Sequence, residues 1–281
     1  MCSSDLAGMS RKDLPSITYG LRGLAYFELN IFGPDHDLHS GSYGGVVHNP
    51  AQVLADLISK MHDENGKVTL PGFYDLVKPL SDSERSELSK YSTTENEYLS
   101  QTGAPALWGE KEFSPSERIG ARPTLEVNGL LSGFTGEGSK TIIPAKAMAK
   151  ISTRLVPDQK PDLVYQQLSE FLEVNAPKSV RWELKDLSTG SPSISDINMP
   201  ASKALAMAFD EVWGTSPAYK REGGSVPVVA DMQEILGIDS VLTGFGLPDD
   251  RIHSPNEKLD LPTWRKGVQA LIHFFYNVKV Q

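Results

Sequence analysis

The sequence contains a single cysteine, Cys2, which excludes an internal disulfide framework and a cysteine-based zinc site. Long apolar runs are also missing. None approaches the roughly 20 residues of a membrane span, and the start has no basic segment leading into an apolar one. Basic charge is in deficit, with 27 Lys and Arg against 36 Asp and Glu, a net charge of −9. Nucleic acid is therefore not an expected partner, because phosphate binding needs a basic face. No membrane partner is expected either. With 39% hydrophobic and 22% charged residues, the composition is that of a soluble globular protein, and cytoplasm is the default compartment. A chain of 281 residues suits one large domain or two ordinary ones.

What is present is a regular alternation of elements. In "LAYFELNIF", Ala25, Phe27, Leu29 and Ile31 point one way and Tyr26, Glu28 and Asn30 the other, as in a half-buried strand. Pro50 opens a helix to about Asp63, with Val53, Leu54, Leu57, Ile58 and Met61 on one face. Residues 64–122 are polar, with one helix expected over "SDSERSELSKY". Strands follow at about 123–129 and 145–156, then a helix over "DLVYQQLSEFLEV" and a strand over "VRWELKDL". The small-residue stretch "STGSPSISDINMP" is the best linker candidate. Beyond it come the helix "ASKALAMAFDEVW", a short strand, the "REGGSVPV" loop with a helix, a strand over "SVLTGFG", and a last helix from Pro262. Strands alternating with helices predict an α/β fold, with βα units on a sheet in the last third.

Four loops carry the chemistry. "DLHSGSYGG" places His39 in a glycine-rich turn, with His36 and His48 nearby. A metal site is one reading, but the spacing matches neither the i, i+4 of a helix nor the i, i+2 of a strand. His253 in "DDRIHSPNE" follows an expected strand end, where parallel sheets bind ligands. Beside Asp249, Asp250 and Glu257 it could be a metal ligand, a general base or a surface residue. "REGGSVPV" offers glycines for close backbone approach and a helix N-terminus, but taken alone it reads first as a loop with Ser225 as a plain N-cap. Arg154, within an apolar strand, needs a carboxylate partner, from a ligand or from a structural salt bridge.

Taken in order, "PSITYGLRG", "DLHSGSYGG", "GSKTIIPAKAMAKISTRLVP", "REGGSVPV" and "DDRIHSPNEKLD" resemble the M20 metallopeptidases, most closely the cytosolic non-specific dipeptidase and carnosine dipeptidase branch. The resemblance runs from about residue 14 to the end. It implies the C-terminal part of a zinc-peptidase catalytic domain plus an α+β lid that also dimerises. Residues 1–22 would then end an N-terminal catalytic segment, 23–188 form the lid, and 189–281 return to the catalytic domain. The implied site residues are His253 as a metal ligand, and Gly224 and Ser225 lining the substrate pocket. Arg154 and Thr141 would hold the substrate's terminal carboxylate, while His39 would reach the partner subunit's active site to bind the scissile carbonyl oxygen. The implied activity is hydrolysis of short peptides by two zinc or manganese ions that activate a bridging water, in a homodimer.

The family's other metal ligands precede "PSITYGLRG", and the register that aligns Ile17 puts Leu6, not Asp5, at the nearest of them. "MCSSDL" is also what the tail of a common sequencing adapter translates to. The expectation is a fragment lacking the catalytic glutamate and most metal ligands, inactive alone. Rival readings are an N-acyl or N-succinyl amino acid deacylase of the same family, or a metal-free dimerisation and peptide-binding module.

Overall fold

The computed structural model describes residues 7–278 apart from positions 91 and 253. In chain order its elements are β1 (Ser16–Leu21), β2 (Gly23–Phe32), β3 (Leu38–His39), α1 (Ser40–Tyr43), α2 (Pro50–Ser59), α3 (Asp82–Lys90), α4 (Glu95–Thr102) and α5 (Pro115–Gly120). Then follow β4 (Thr124–Ser132), β5 (Ile142–Ile143), β6 (Lys146–Leu155), α6 (Pro161–Asn175), β7 (Arg181–Gly190), β8 (Ser193–Ile194), α7 (Pro200–Trp213), β9 (Ala218–Glu222), α8 (Pro227–Leu236) and α9 (Leu261–Asn277). Among the described residues no helix is long and apolar enough to cross a membrane.

An antiparallel sheet of order β4-β6-β2-β7 forms the first unit. Strict alternation in β2 sends Ala25, Phe27, Leu29 and Ile31 to one face, all with no exposed surface. β6 matches it with Ala147, Ala149, Ile151 and Leu155. Two helices cover that face. Asn49 caps α2 by accepting from Ala51 N (2.9 Å), Pro50 occupies its first turn, and Val53, Leu54 and Leu57 point inward. α6 contributes Val164, Leu168, Phe171 and Leu172 to the same core. The opposite face stays polar. There Glu28 accepts from Lys150 Nζ (2.6 Å) and Asn30 Nδ2 (2.9 Å), two bonds that hold its carboxyl down at about 2.

The second unit is a smaller sheet of order β8-β1-β9, with β9 parallel to β1 and β8 antiparallel. α7 and α9 pack together over Ile17, with Leu205, Phe209 and Ala270 fully buried. Trp213 and Phe245 stack beside them, ring centroids 6.1 Å apart. The parallel β1–β9 pair followed by α8 is the βα arrangement expected for the last third.

Three sequence expectations differ from the structure. "SVLTGFG" forms only isolated bridges, Thr18 to Leu242 and Gly8 to Gly246, rather than a strand. Gly244 and Gly246 give it no side chains to pack, and the backbone of Ala7 crosses directly over Gly244. Residues 188–190 do not begin a linker but complete β7, pairing with Leu24, Ala25 and Tyr26 of β2. The polar stretch 64–122 holds α4 and α5 in addition to the expected helix. α3 and α5 both pack on β9 of the second unit. Glu84 of α3 accepts from Tyr19 Oη (2.7 Å) and pairs with Arg221, so a segment threaded between two elements of the four-stranded unit braces the other sheet.

Candidate carboxylate-binding site at the junction of the two units

The alternation that buries Ile151, Thr153 and Leu155 turns Arg154 to the open face of the sheet. There its Nη1 donates to Ser225 Oγ (2.8 Å). The two residues lie in different units, so the bond joins the four-stranded sheet to the β9–α8 loop. Ser225 does not cap α8. The N-cap position is Val226, with no side-chain capping bond, which leaves the serine hydroxyl to Arg154. Among the described residues no carboxylate pairs with Arg154, so the expected structural salt bridge is replaced by a neutral hydroxyl partner. Gly224 is exposed, and a Cβ there would meet nothing within 4 Å, so the loop has open space beside the serine.

A second guanidinium stands close by. Arg22, the one residue between β1 and β2, donates from Nε to Gly223 O (3.2 Å). Burial and the neighbouring Arg154 charge lower it to about 10, with Glu126 on β4 working the other way. Burial in turn raises the Glu126 carboxyl. Two arginines against one reluctant carboxylate leave this corner with a surplus of positive charge, a setting for an anionic group. "PSITYGLRG" contains Arg22, but nothing in that spacing tells it from an ordinary loop arginine.

His39 and Thr141 lie elsewhere. β3 pairs with β5, setting His39 opposite Ile142, and Ser40 N donates to Thr141 O (3.0 Å). Both side chains are exposed. Eight residues of extended strand, roughly 26 Å, separate Lys146 from Arg154 along β6, and Thr141 lies beyond Lys146, at the far end. Thr141 and Arg154 of one chain are therefore not brought together, contrary to a shared carboxylate site within a single subunit. The His39 ring is fixed by its own turn. Its Nδ1 accepts from Gly41 N (3.0 Å), and a Cβ on Gly41 would come within 2.7 Å of the ring.

The three histidines of this region have separate partners. His36 contacts Asp35, and His48 Nδ1 lies 2.8 Å from Ser179 Oγ. His253 lies outside the described residues, as do Asp5 and Leu6. Its acidic neighbours are engaged with each other's counter-charge. Asp250 is buried and accepts from Leu247 N (2.7 Å) and Lys258 Nζ (3.0 Å), and Lys258 also pairs with Asp249 (2.9 Å). Among the described residues, no three His, Cys, Asp or Glu groups assemble in a way that could hold a metal ion.

The peptidase dimerisation domain of the M20 family matches residues 19–180, more than half of the chain. The chain belongs to the M20 peptidase family. It is 36% identical over 269 residues to the Cys-Gly metallodipeptidase DUG1 of Candida albicans, covering 93% of this chain and 55% of that relative. With the human Beta-Ala-His dipeptidase the identity is 31%, over 94% of this chain and 53% of the relative. Among solved structures, the M20 family metallo-carboxypeptidase Sso-CP2 from Sulfolobus solfataricus superposes with a TM-score of 0.85. It has 31% identity and is matched over 95% of this chain and 61% of its own. The mixed α/β architecture with a dimerisation domain is thus that of M20 peptidases. The chain spans a little over half the length of these relatives.

Proposed function

We propose that this chain recognises the free C-terminal carboxylate of a short peptide, as the lid and adjoining catalytic segment of a metallodipeptidase. The observation that carries the reading is the Arg154–Ser225 contact across the two units. A guanidinium held by a hydroxyl rather than a carboxylate keeps N–H donors and full charge for an incoming anion, and its planar fork matches a carboxylate. Gly224 leaves room for that group and Ser225 completes its hydrogen bonds. The relatives' names, a Cys-Gly metallodipeptidase and a Beta-Ala-His dipeptidase, favour a dipeptide over an N-acyl amino acid.

His39 and Thr141, at the other end of β6, would serve the active site of a partner subunit in a homodimer formed through the lid. His39 would donate a hydrogen bond to the scissile carbonyl oxygen there, a contribution worth about 10²–10³ in rate. His253 is carried as a metal ligand by resemblance alone. The zinc or manganese pair of such an enzyme would be held largely by groups beyond the described set, so the chemistry assigned to this chain is recognition and orientation.

Cysteinylglycine and its C-terminal amide, titrated separately into the chain, test this. The free acid should bind at least about ten-fold more tightly, the difference lost in Arg154→Met, and the 281-residue chain should not hydrolyse it. Equal binding of acid and amide would sink the carboxylate reading, and robust hydrolysis by the purified chain would sink the division of labour.

A further inference from the structure

Arg22 is the entire connection between β1 and β2, and it holds three backbone carbonyls. Besides Gly223 O, its Nη1 donates to Arg118 O (3.5 Å) and Arg122 O (3.4 Å). Its own backbone N donates to Glu222 O (3.3 Å). One residue thus grips the β9–α8 loop at Glu222 and Gly223, while Arg154 grips the same loop at Ser225. Both arginines are set by one strand pair, because Leu24, two residues after Arg22, is the register partner of Arg154. Other anchors on the loop are few. Val226 makes no side-chain capping bond, and Gly224 faces open space. Gly223 is fitted to its partner: a Cβ there would lie 2.8 Å from Arg22 Nη2 and 3.1 Å from Ile119.

We propose that Arg22 is the positioning residue of the carboxylate site: it fixes the 223–225 loop so that Ser225 Oγ and the Arg154 fork converge on one carboxylate. Arg22 spends its bonds on carbonyls and acts through the loop rather than on the ligand. A guanidinium is required because the acceptors come from two segments about a hundred residues apart in sequence, and a planar fork reaches all three. A lysine ammonium is a single point of charge and reaches fewer of them. The inference rests on the carboxylate reading of Arg154 and Ser225.

Cysteinylglycine titrated into the chain, followed by the amide resonances of Gly224 and Ser225, tests it alongside the backbone order parameters of those amides in the free protein. Arg22→Met and Arg22→Lys should each weaken binding by about ten-fold. They should also lower the backbone order parameters of Gly224 and Ser225 while leaving those of β2 and β6 unchanged. Arg22→Met combined with Arg154→Met should bind no worse than Arg154→Met alone, because Arg22 works only through that pair; a general loss of structure would not give this pattern. Gly223→Ala, which displaces the loop with Arg22 intact, should reproduce the weakening if Arg22→Met fails to fold. Unchanged order parameters at Gly224 and Ser225 in Arg22→Met, or wild-type affinity in that variant and in Gly223→Ala, overturns the proposal. Absence of binding by the wild-type chain counts against the carboxylate reading instead, and the order parameters of the free protein still decide the role of Arg22.

Discussion

The two sheets use their apolar residues differently. In the four-stranded unit two helices close one face, and alternation in β2 and β6 leaves Phe27, Leu29, Ile31 and Ile151 without exposed surface. In the three-stranded unit the enclosed clusters are small, and its helices turn large apolar side chains outward: Ile235 is 78% exposed, Phe275 73% and Tyr276 91%. Apolar surface is the main source of stability only where it is removed from water. The four-stranded sheet should therefore carry the stability, and the second sheet should borrow it through α3, α5 and the Arg22 crossing.

Three measurements can break or sharpen that contrast. The largest effect should come from Phe27→Ala, which opens a cavity at the centre of the lid core and should cost about 3–5 kcal/mol in urea unfolding. A cost below about 1 kcal/mol would mean that the lid is not the stable unit. A smaller effect is expected on acidification. Glu28 in the lid and Asp260 at the α9 N-terminus are both held at about 2, by Lys150 and Asn30 for the first and by Thr263 N and Lys12 for the second. Carboxyls lowered in the fold stabilise it above their ordinary range, and that contribution fades as pH falls from about 4 through about 2. Both pairs weaken together, so the unit with the smaller core should open first, and Trp213 signals should be lost at a higher pH than β2 amide protection. Simultaneous loss would show one cooperative body. The smallest effect belongs to Ile235→Ser, which should change stability by no more than about 0.5 kcal/mol while reducing self-association in sedimentation. A larger loss would show that this side chain is packed in solution.

The lid sheet was legible because its two central strands alternate without interruption and α2 has a capping asparagine, a first-turn proline and a clean apolar face. α4 and α5 escaped the apolar pattern because they bury almost nothing aliphatic, yet each carries a capping box, Thr94 with Glu97 and Ser114 with Glu117, that marks a helix start. "SVLTGFG" misled because its composition suits a strand while its glycines make room for a crossing chain. At the site, Arg154 was singled out by its place in an apolar strand and Ser225 by its glycine neighbours, but either had an ordinary explanation until the fold joined them. The separation of Thr141 from Arg154 was hidden for the opposite reason: thirteen positions apart in sequence, they are held apart by the length of β6, with Thr141 before its start at Lys146 and Arg154 near its end.

The junction itself has a mechanical consequence. Two chain crossings join the sheets, at Arg22 and at 191–192, and they touch: a Cβ on Gly23 would lie 2.6 Å from Gly190 O and 2.7 Å from Pro192 N. Side-by-side crossings make an axle. Turning one sheet about it would twist the backbone of Arg22, whose side chain is bonded to Arg118, Arg122 and Gly223. The residue that carries the chain from one sheet to the other is thus the same residue that fastens the loop beside Arg154.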